Sequence, residues 1–302
     1  MQLSIPDKSF MDSFESIGTF PLDEYEKNEL NVFMLRINAN EFDYRLLVEN
    51  LLEPIITYSV SRDVQKRYSN KPHTLTKKAT ARFVEYCRNT GELGELLLYA
   101  FLECHLNAPK ILTKLELKTS TSMYVHGADG VHYLQLPNGN YQLIFGEAKM
   151  IQDLGDAIRA AFKSIAEFKN EVNGDGVPKS GISYEKGLIS DNLLKESFSE
   201  DDIAFLRALI YPRRESSFRV DDAFGIFVGY DMKISDADKF KPNDEFRKLI
   251  RDAIYKAVEA KIGLIRKCII EKKLIGHSFH IYILPFTDMD DTRKKVLEEL
   301  VK

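Results

Sequence analysis

The sequence lacks several features that would settle its class at once. No apolar run comes near the roughly 18 residues that a membrane-spanning helix needs, and the N-terminus carries no charged-then-apolar leader pattern, so a cytoplasmic protein outside the membrane is expected. The three cysteines, Cys87, Cys104 and Cys268, cannot form a complete disulfide set and fall in helical patterns, which points to buried thiols in a reducing compartment. They show no zinc-ligand spacing, and the six histidines are scattered. There is no phosphate-binding GxxxxGK[ST] loop, so any ATP-driven work would fall to another chain. Internal repeats and low-complexity tracts are missing too. A net charge of -4 argues against a grip on nucleic acid by the whole surface. The 302 residues can still bury a sizeable core, in one large domain or two.

The most informative stretch is Gly127 to Lys149, GADGVHYLQLPNGNYQLIFGEAK. Val131 to Pro137 alternates β-branched and aromatic residues with polar ones, Asn138-Gly139 is a two-residue hairpin signal, and Tyr141 to Phe145 returns as an apolar strand. Asp129 lies nine residues before the turn and Glu147 eight after it, so both fall at the open end of one hairpin. Side chains alternate along a strand, which puts Glu147 and Lys149 on one face and Ala148 on the other, with its carbonyl available. Carboxylates that can hold a divalent ion, next to a cation that can attend an attacking water, are what phosphodiester hydrolysis needs.

The triplet is weak by itself. Glu-x-Lys recurs at Glu116, Glu167, Glu259 and Glu271, where it reads as a solvated face, and Asp129 could simply be a turn former before Gly130. Glu147 differs in following the apolar Leu143, Ile144 and Phe145 and in having an acidic residue at the start of the preceding strand. A third acidic element lies in Arg82 to His105, whose apolar positions recur at helical spacing. Glu92 and Glu95 share a face of that helix beside Gly91 and Gly94, which would permit close approach to a strand or a phosphate. Both could be exposed helix carboxylates; Glu95, hard against Leu96, Leu97 and Leu98, is the better site candidate.

The elements then run helix (82–105), strand (110–118), strand (130–137), strand (141–149), helix (154–171), and, after an irregular stretch, strand (223–230), helix (244–273) and strand (279–285). This α-β-β-β-α-β order, with Asp129 opening the second strand and Glu147-x-Lys149 closing the third, resembles the restriction-endonuclease-like PD-(D/E)xK nuclease superfamily. GELGELLLYAFLE, HGADGVH, GEAK and DLGDAIRAAFKSIAEF resemble HamA, the family of nuclease components of Hachiman antiphage defence systems, over about residues 80–286. The resemblance implies an α/β fold with an N-terminal accessory region (1–80) and a nuclease-like domain (81–302). It implies a metal-dependent deoxyribonuclease that uses Mg²⁺, with Mn²⁺ as a substitute, held by Asp129, Glu147, the Ala148 carbonyl and Glu95. Lys149 would orient the water or stabilise developing phosphate charge, and Glu92 stays a second candidate for the helix acid. A HamB-type helicase and DNA are the implied partners. Ala128 stands where the superfamily's name-giving proline would be. A non-cleaving nucleic-acid- or helicase-binding module on the same fold, and a restriction-type enzyme acting alone, remain alternatives.

Elsewhere the signals are open. Lys66, Arg67, Lys71, Lys77, Lys78, Arg82 and Arg88 face the single acid Glu85 between positions 66 and 88, which suits either phosphate contact or a solvated linker such as SNKPHTLTKK. Arg213, Arg214 and Arg219 lie in the irregular insert, read as a substrate-covering loop or a partner surface. His126 and His132 flank Asp129, and His132 is expected to face a groove or solvent. Near the N-terminus, Leu30 to Ile37 reads as a strand, Asn40 as the cap of a helix kinked at Pro54, and Asp288 to Lys302 as a short capped helix.

Overall fold

The computed structural model describes residues 2–5, 7–23, 28–86, 91–117, 127–192 and 199–302. The chain opens with a 3-10 turn and two strands, β1 (Phe14–Pro21) and β2 (Glu29–Leu35). The short pair β3 (Ile37–Asn38) and β4 (Glu41–Phe42) leads into α1 (Tyr44–Ser59), α2 (Arg62–Arg67) and α3 (Pro72–Tyr86). Then come α4 (Glu92–Cys104), β5 (Lys110–Thr113) and the single turn α5 (Lys114–Leu117). The hairpin of β6 (Gly130–Gln135) and β7 (Tyr141–Met150) is followed by α6 (Leu154–Asn170), α7 (Ile182–Asn192) and α8 (Glu200–Ile210). β8 (Val220–Asp231), α9 (Asp236–Lys239), α10 (Asn243–Glu259), α11 (Ile262–Glu271), β9 (Ser278–Phe286) and α12 (Met289–Leu300) complete the order.

Seven strands form one mixed sheet in the order β1-β2-β9-β8-β7-β6-β5, so the fold is α/β. β5, β6 and β7 pair antiparallel, whereas β7, β8, β9 and β2 run parallel, and β1 returns antiparallel to β2. The central strands can be parallel because both their faces are covered: β8 and β9 read as almost continuous apolar runs, and Ile226, Phe227, Ile283 and Leu284 are fully buried. The N-terminal strands belong to this same sheet, with Leu30 opposite Ile281 and Val32 opposite Ile283.

Alternation along β7 decides what each helix touches. Gly146, Ala148 and Met150 face α4, where Gly94 lies so close that a Cβ there would stand 3.4 Å from the Ala148 Cβ and 3.2 Å from the Met150 Cγ. Phe145 faces the other way, onto Phe168 of α6, ring centroids 5.3 Å apart. Glu147 and Lys149 follow Phe145 to the α6 face. The hairpin turn is longer than two residues: Pro137 and Asn138 take the middle positions, the Gly139 N–H donates to the Leu136 carbonyl, and Gly139 itself adopts φ 80°.

Several boundaries depart from expectation. The single helix expected over 82–105 is α3 and α4, with Gly91 at the N-cap of the second. SNKPHTLTKK is no linker, since α3 begins at Pro72, a position where the missing N–H costs nothing. The strand expected over 110–118 stops at Thr113 and turns into α5. The insert read as irregular holds α7 and α8, and the helix expected over 244–273 is α10 and α11. Asp43, not Asn40, caps α1 by accepting the Leu46 N–H; Asn40 sits at φ 58° and donates to the Lys239 and Lys241 carbonyls. Among the described residues, no helix is long and apolar enough to cross a membrane.

Candidate active site

Strand β7 is longer than its neighbour. Pairing with β6 runs from Gln135 opposite Tyr141 to Val131 opposite Phe145 and then stops, while β7 continues beside β8 to Met150. Continued by two residues, that register would set Asp129 opposite Glu147, as counting from the turn predicts. The ladder gives way there to a side chain. The Asp129 N–H donates to the Gly146 carbonyl at 2.9 Å, and the Asp129 Oδ2 takes the Ala148 N–H at 2.8 Å. A residue of an extended strand directs its N–H and C=O to the same edge, so the Ala148 carbonyl faces the same gap as the Asp129 carboxylate.

Three elements fill this gap. From α4, Glu95 accepts from the Tyr58 hydroxyl at 3.0 Å. From α5, the Lys114 ammonium bridges Glu95 Oε1 at 3.1 Å and Asp129 Oδ1 at 2.9 Å. From the α6 face of β7, Glu147 Oε1 holds the Lys149 Nζ at 2.5 Å. Thus Glu95 and Asp129 share one lysine, the Asp129 carboxylate accepts the Ala148 N–H, and Glu147 pairs with Lys149. Glu92 is buried at 4 % exposure one turn before Glu95.

Lys114 was not anticipated, because the chain there read as more strand; the available signal was a lysine just past KILT, a strand whose partner opens with Asp129. A second unforeseen residue is Glu185 of α7, exposed by only 1 %. It accepts from the Ala128 N–H, and its Oε2 has no hydrogen-bond partner among the described residues.

Electrostatics follow from this crowding of acids. Burial, then the negative charge of Asp129, raises the Glu147 carboxyl above its ordinary range against the pull of Lys149. Burial also pushes Glu185 up to about 7, with the Ala128 N–H and Lys114 opposing and Asp129 adding to the rise. Burial works against the charged forms of Lys114 and Lys149, yet the carboxylates outweigh it and hold both ammonium groups above their ordinary values.

Whether a metal suits these residues can be judged from the donors. Carboxylates and a backbone carbonyl are hard oxygen ligands of the kind Mg²⁺ and Mn²⁺ take. Glu95, Asp129, Glu147 and Glu185 outnumber the two lysines, and Lys114 already seats a cation between the first two. In kind and charge the donors fit a divalent ion. Their spacing is now set by the lysines: among the described residues, no group of three or more His, Cys, Asp or Glu side chains is arranged to hold a metal.

The other expected residues fall as follows. Lys66, Arg67, Lys77 and Lys78 are exposed on α2 and α3, Arg67 in an ion pair with Asp63 and Lys78 over the Tyr68 ring at 5.1 Å. Half-buried Arg82 donates to the Leu115 carbonyl at 3.1 Å, which ties α3 to the turn that carries Lys114. Arg213, Arg214 and Arg219 are exposed, and the Arg219 N–H donates to Asn140 at the hairpin turn. That is the far end of β7, roughly 20 Å along the strand from Glu147. His132 does not face solvent. It is 1 % exposed, hydrogen-bonded to the Ala108 carbonyl at 2.8 Å, and burial lowers its pKa to about 4, which marks a neutral core histidine. His126, like Arg88, lies outside the described residues. A polar cleft of about 880 Å³ opens at the C-terminal ends of β8 and β9, lined by Asn40, Tyr44, Asp231 and Thr287 among others, apart from the carboxylate cluster.

A family model for HamA matches residues 8–300. The chain belongs to the HamA family. The match takes in the N-terminal strands as well as the segment from 80 to 286, so it spans every element of the sheet. Membership in HamA supports a role in antiphage defence. None of the curated proteins searched matches this HamA chain.

Proposed function

We propose that this protein is a divalent-metal-dependent DNA endonuclease of the PD-(D/E)xK type that acts in antiphage defence together with a separately encoded HamB-type helicase. The observation that carries this reading is the meeting of Glu95, Asp129 and Glu147-x-Lys149 in the gap beyond β6, at the end of β7. Asp129, Glu147, the Ala148 carbonyl and Glu95 would hold Mg²⁺ or Mn²⁺. When bound, the ion supplies a Lewis acid for the phosphodiester and a lower pKa for water.

The residues of the chain do the rest. Lys149, kept charged by Glu147, stands where it can orient the attacking water by hydrogen bonding and meet the negative charge that develops on the phosphate. Lys114 holds Asp129 and Glu95 together in the absence of metal and would have to yield its place between them when the ion binds. The exposed lysines of α3 are candidates for the DNA backbone, and Arg82 carries that surface to the site through α5. In this reading residues 81–302 carry the chemistry and residues 1–80 are the accessory region.

The test is cleavage of plasmid, linear and single-stranded DNA by the chain in Mg²⁺, with and without the helicase and ATP. Glu147→Ala and Lys149→Ala should each abolish cutting while leaving the circular dichroism spectrum unchanged; retained cutting by both variants sinks the assignment. One observation favours a second reading, a binding module that does not cleave: the Lys114 ammonium occupies the space between Glu95 and Asp129. Mn²⁺ binding to the wild-type chain that disappears in Asp129→Asn decides for the nuclease, and no binding to either decides for the module.

A further inference from the structure

Glu185 is not among the proposed metal ligands, yet it is buried more deeply than Asp129 beside it. α7, which carries it, is fixed from three sides. At its start, the Ser183 N–H donates to Glu171 at the end of α6 at 2.8 Å. One residue after Glu185, Lys186 pairs with Asp222 of β8 at 2.8 Å, and Ile189, one turn on, is 1 % exposed. Held this way, α7 drives the Glu185 carboxyl against the segment Gly127-Ala128 immediately before Asp129. The fit needs a glycine: a Cβ built on Gly127 would collide with the Glu185 Oε2.

Burying a carboxyl with one oxygen unmatched is costly, of the order of 1–3 kcal/mol for an unsatisfied polar group. A packing role alone would be served better by an apolar side chain. What the carboxyl does is accept the Ala128 N–H, one residue from Asp129, whose own carboxylate must reach both the Ala148 N–H and Lys114. The geometry points to Glu185 as a positioning residue of the candidate active site: from α7 it grips the Ala128 N–H through the gap left by Gly127 and thereby fixes where the Asp129 carboxylate lies. This rests on the nuclease reading for its consequence, metal binding, but not for the positioning itself. The insert between α6 and β8 therefore contributes a residue to the site.

Two measurements on the full chain separate these levels. Hydrogen exchange reports positioning without any metal: in Glu185→Ala the Ala128 and Ala148 amides should exchange at least tenfold faster, while in Glu185→Gln, whose amide oxygen still accepts from Ala128, they should stay near wild type. Mn²⁺ titration by calorimetry should show the same order, with affinity lowered about tenfold to a hundredfold in Glu185→Ala, as loss of a ligand-orienting partner does, and restored in Glu185→Gln. Gly127→Ala, which displaces the carboxyl from the other side, should mimic Glu185→Ala, and the two changes together should cost less than their sum. Unchanged exchange at Ala148 in Glu185→Ala overturns the proposal. So does a Glu185→Gln variant as impaired as Glu185→Ala, since the charge and not the hydrogen bond would then matter. If the wild type binds no Mn²⁺ while exchange behaves as expected, the positioning stands and the nuclease reading fails.

Discussion

At the scale of the residue, the site is a balance of buried charges, and each charge predicts something measurable. Lys114 is the only described cation that contacts both Glu95 and Asp129, whose side chains are 12 % and 9 % exposed. Lys114→Ala should leave two buried acids facing each other and lower stability by about 2–4 kcal/mol, somewhat less than a fully buried pair because Lys114 is 21 % exposed. Millimolar Mn²⁺ should recover much of that loss if a divalent ion can take the lysine's place. Urea denaturation with and without the metal checks both halves. Glu185 predicts a pH effect. Its folded pKa of about 7 lies above the ordinary 4.5, so the folded chain binds the extra proton between those values. The stabilisation is complete below pH 4.5 and is lost as pH rises through 7. Glu185→Gln, permanently neutral, should equal wild type near pH 4.5 and exceed it at pH 8 by up to about 3 kcal/mol, at about 1.4 kcal/mol per unit. Parallel profiles for the two proteins would show that the carboxyl is not strained by burial. The raised Glu147 leaves some of the same slope in both.

At the scale of the element, what could be read from the sequence was what is local. The hairpin signal, the alternation along 141–149 and the register counted from the turn need only neighbours in sequence, and they place Asp129, Glu147 and Lys149 together at the end of β7. Glu95 was readable because Gly94 beside it permits the close crossing of α4 over β7. Gly94→Val should force the two apart, costing about 1–3 kcal/mol by overpacking and carrying Glu95 away from Lys114, visible as a lower melting temperature. Lys114 and Glu185 were not readable for the opposite reason. Lys114 depends on a strand ending at Thr113, where KILTKLELK gives no break, and Glu185 depends on α7 being docked by contacts with α6 and β8 that are distant in sequence. His132 holds a polar position in the alternation from Val131 to Pro137, which suggests a face open to solvent, while its neighbours in space are Ala108 and Tyr99.

At the scale of the whole molecule, the N-terminal strands are not an appendage. β2 covers the edge of β9, and the match to HamA starts at residue 8. A chain beginning at residue 81 would expose that apolar edge and should aggregate on expression, which size-exclusion chromatography would show. The net charge of -4 means that any hold on DNA comes from one face. Exchanging Lys77 and Lys78 for alanine should therefore weaken DNA binding and reduce the slope of log affinity against log salt by about 1–2, read by fluorescence anisotropy at several salt concentrations; an unchanged slope would move the DNA path elsewhere. The glycine that admits Glu185 has one more consequence. Gly127 and α7 lie on either side of β6, β7 and α6 in the chain, yet the notch in one is shaped for the carboxyl of the other. A recombinant that grafts the hairpin of this protein onto a relative, or borrows a relative's insert, inherits half of a lock. The two segments can be exchanged between proteins only as a set.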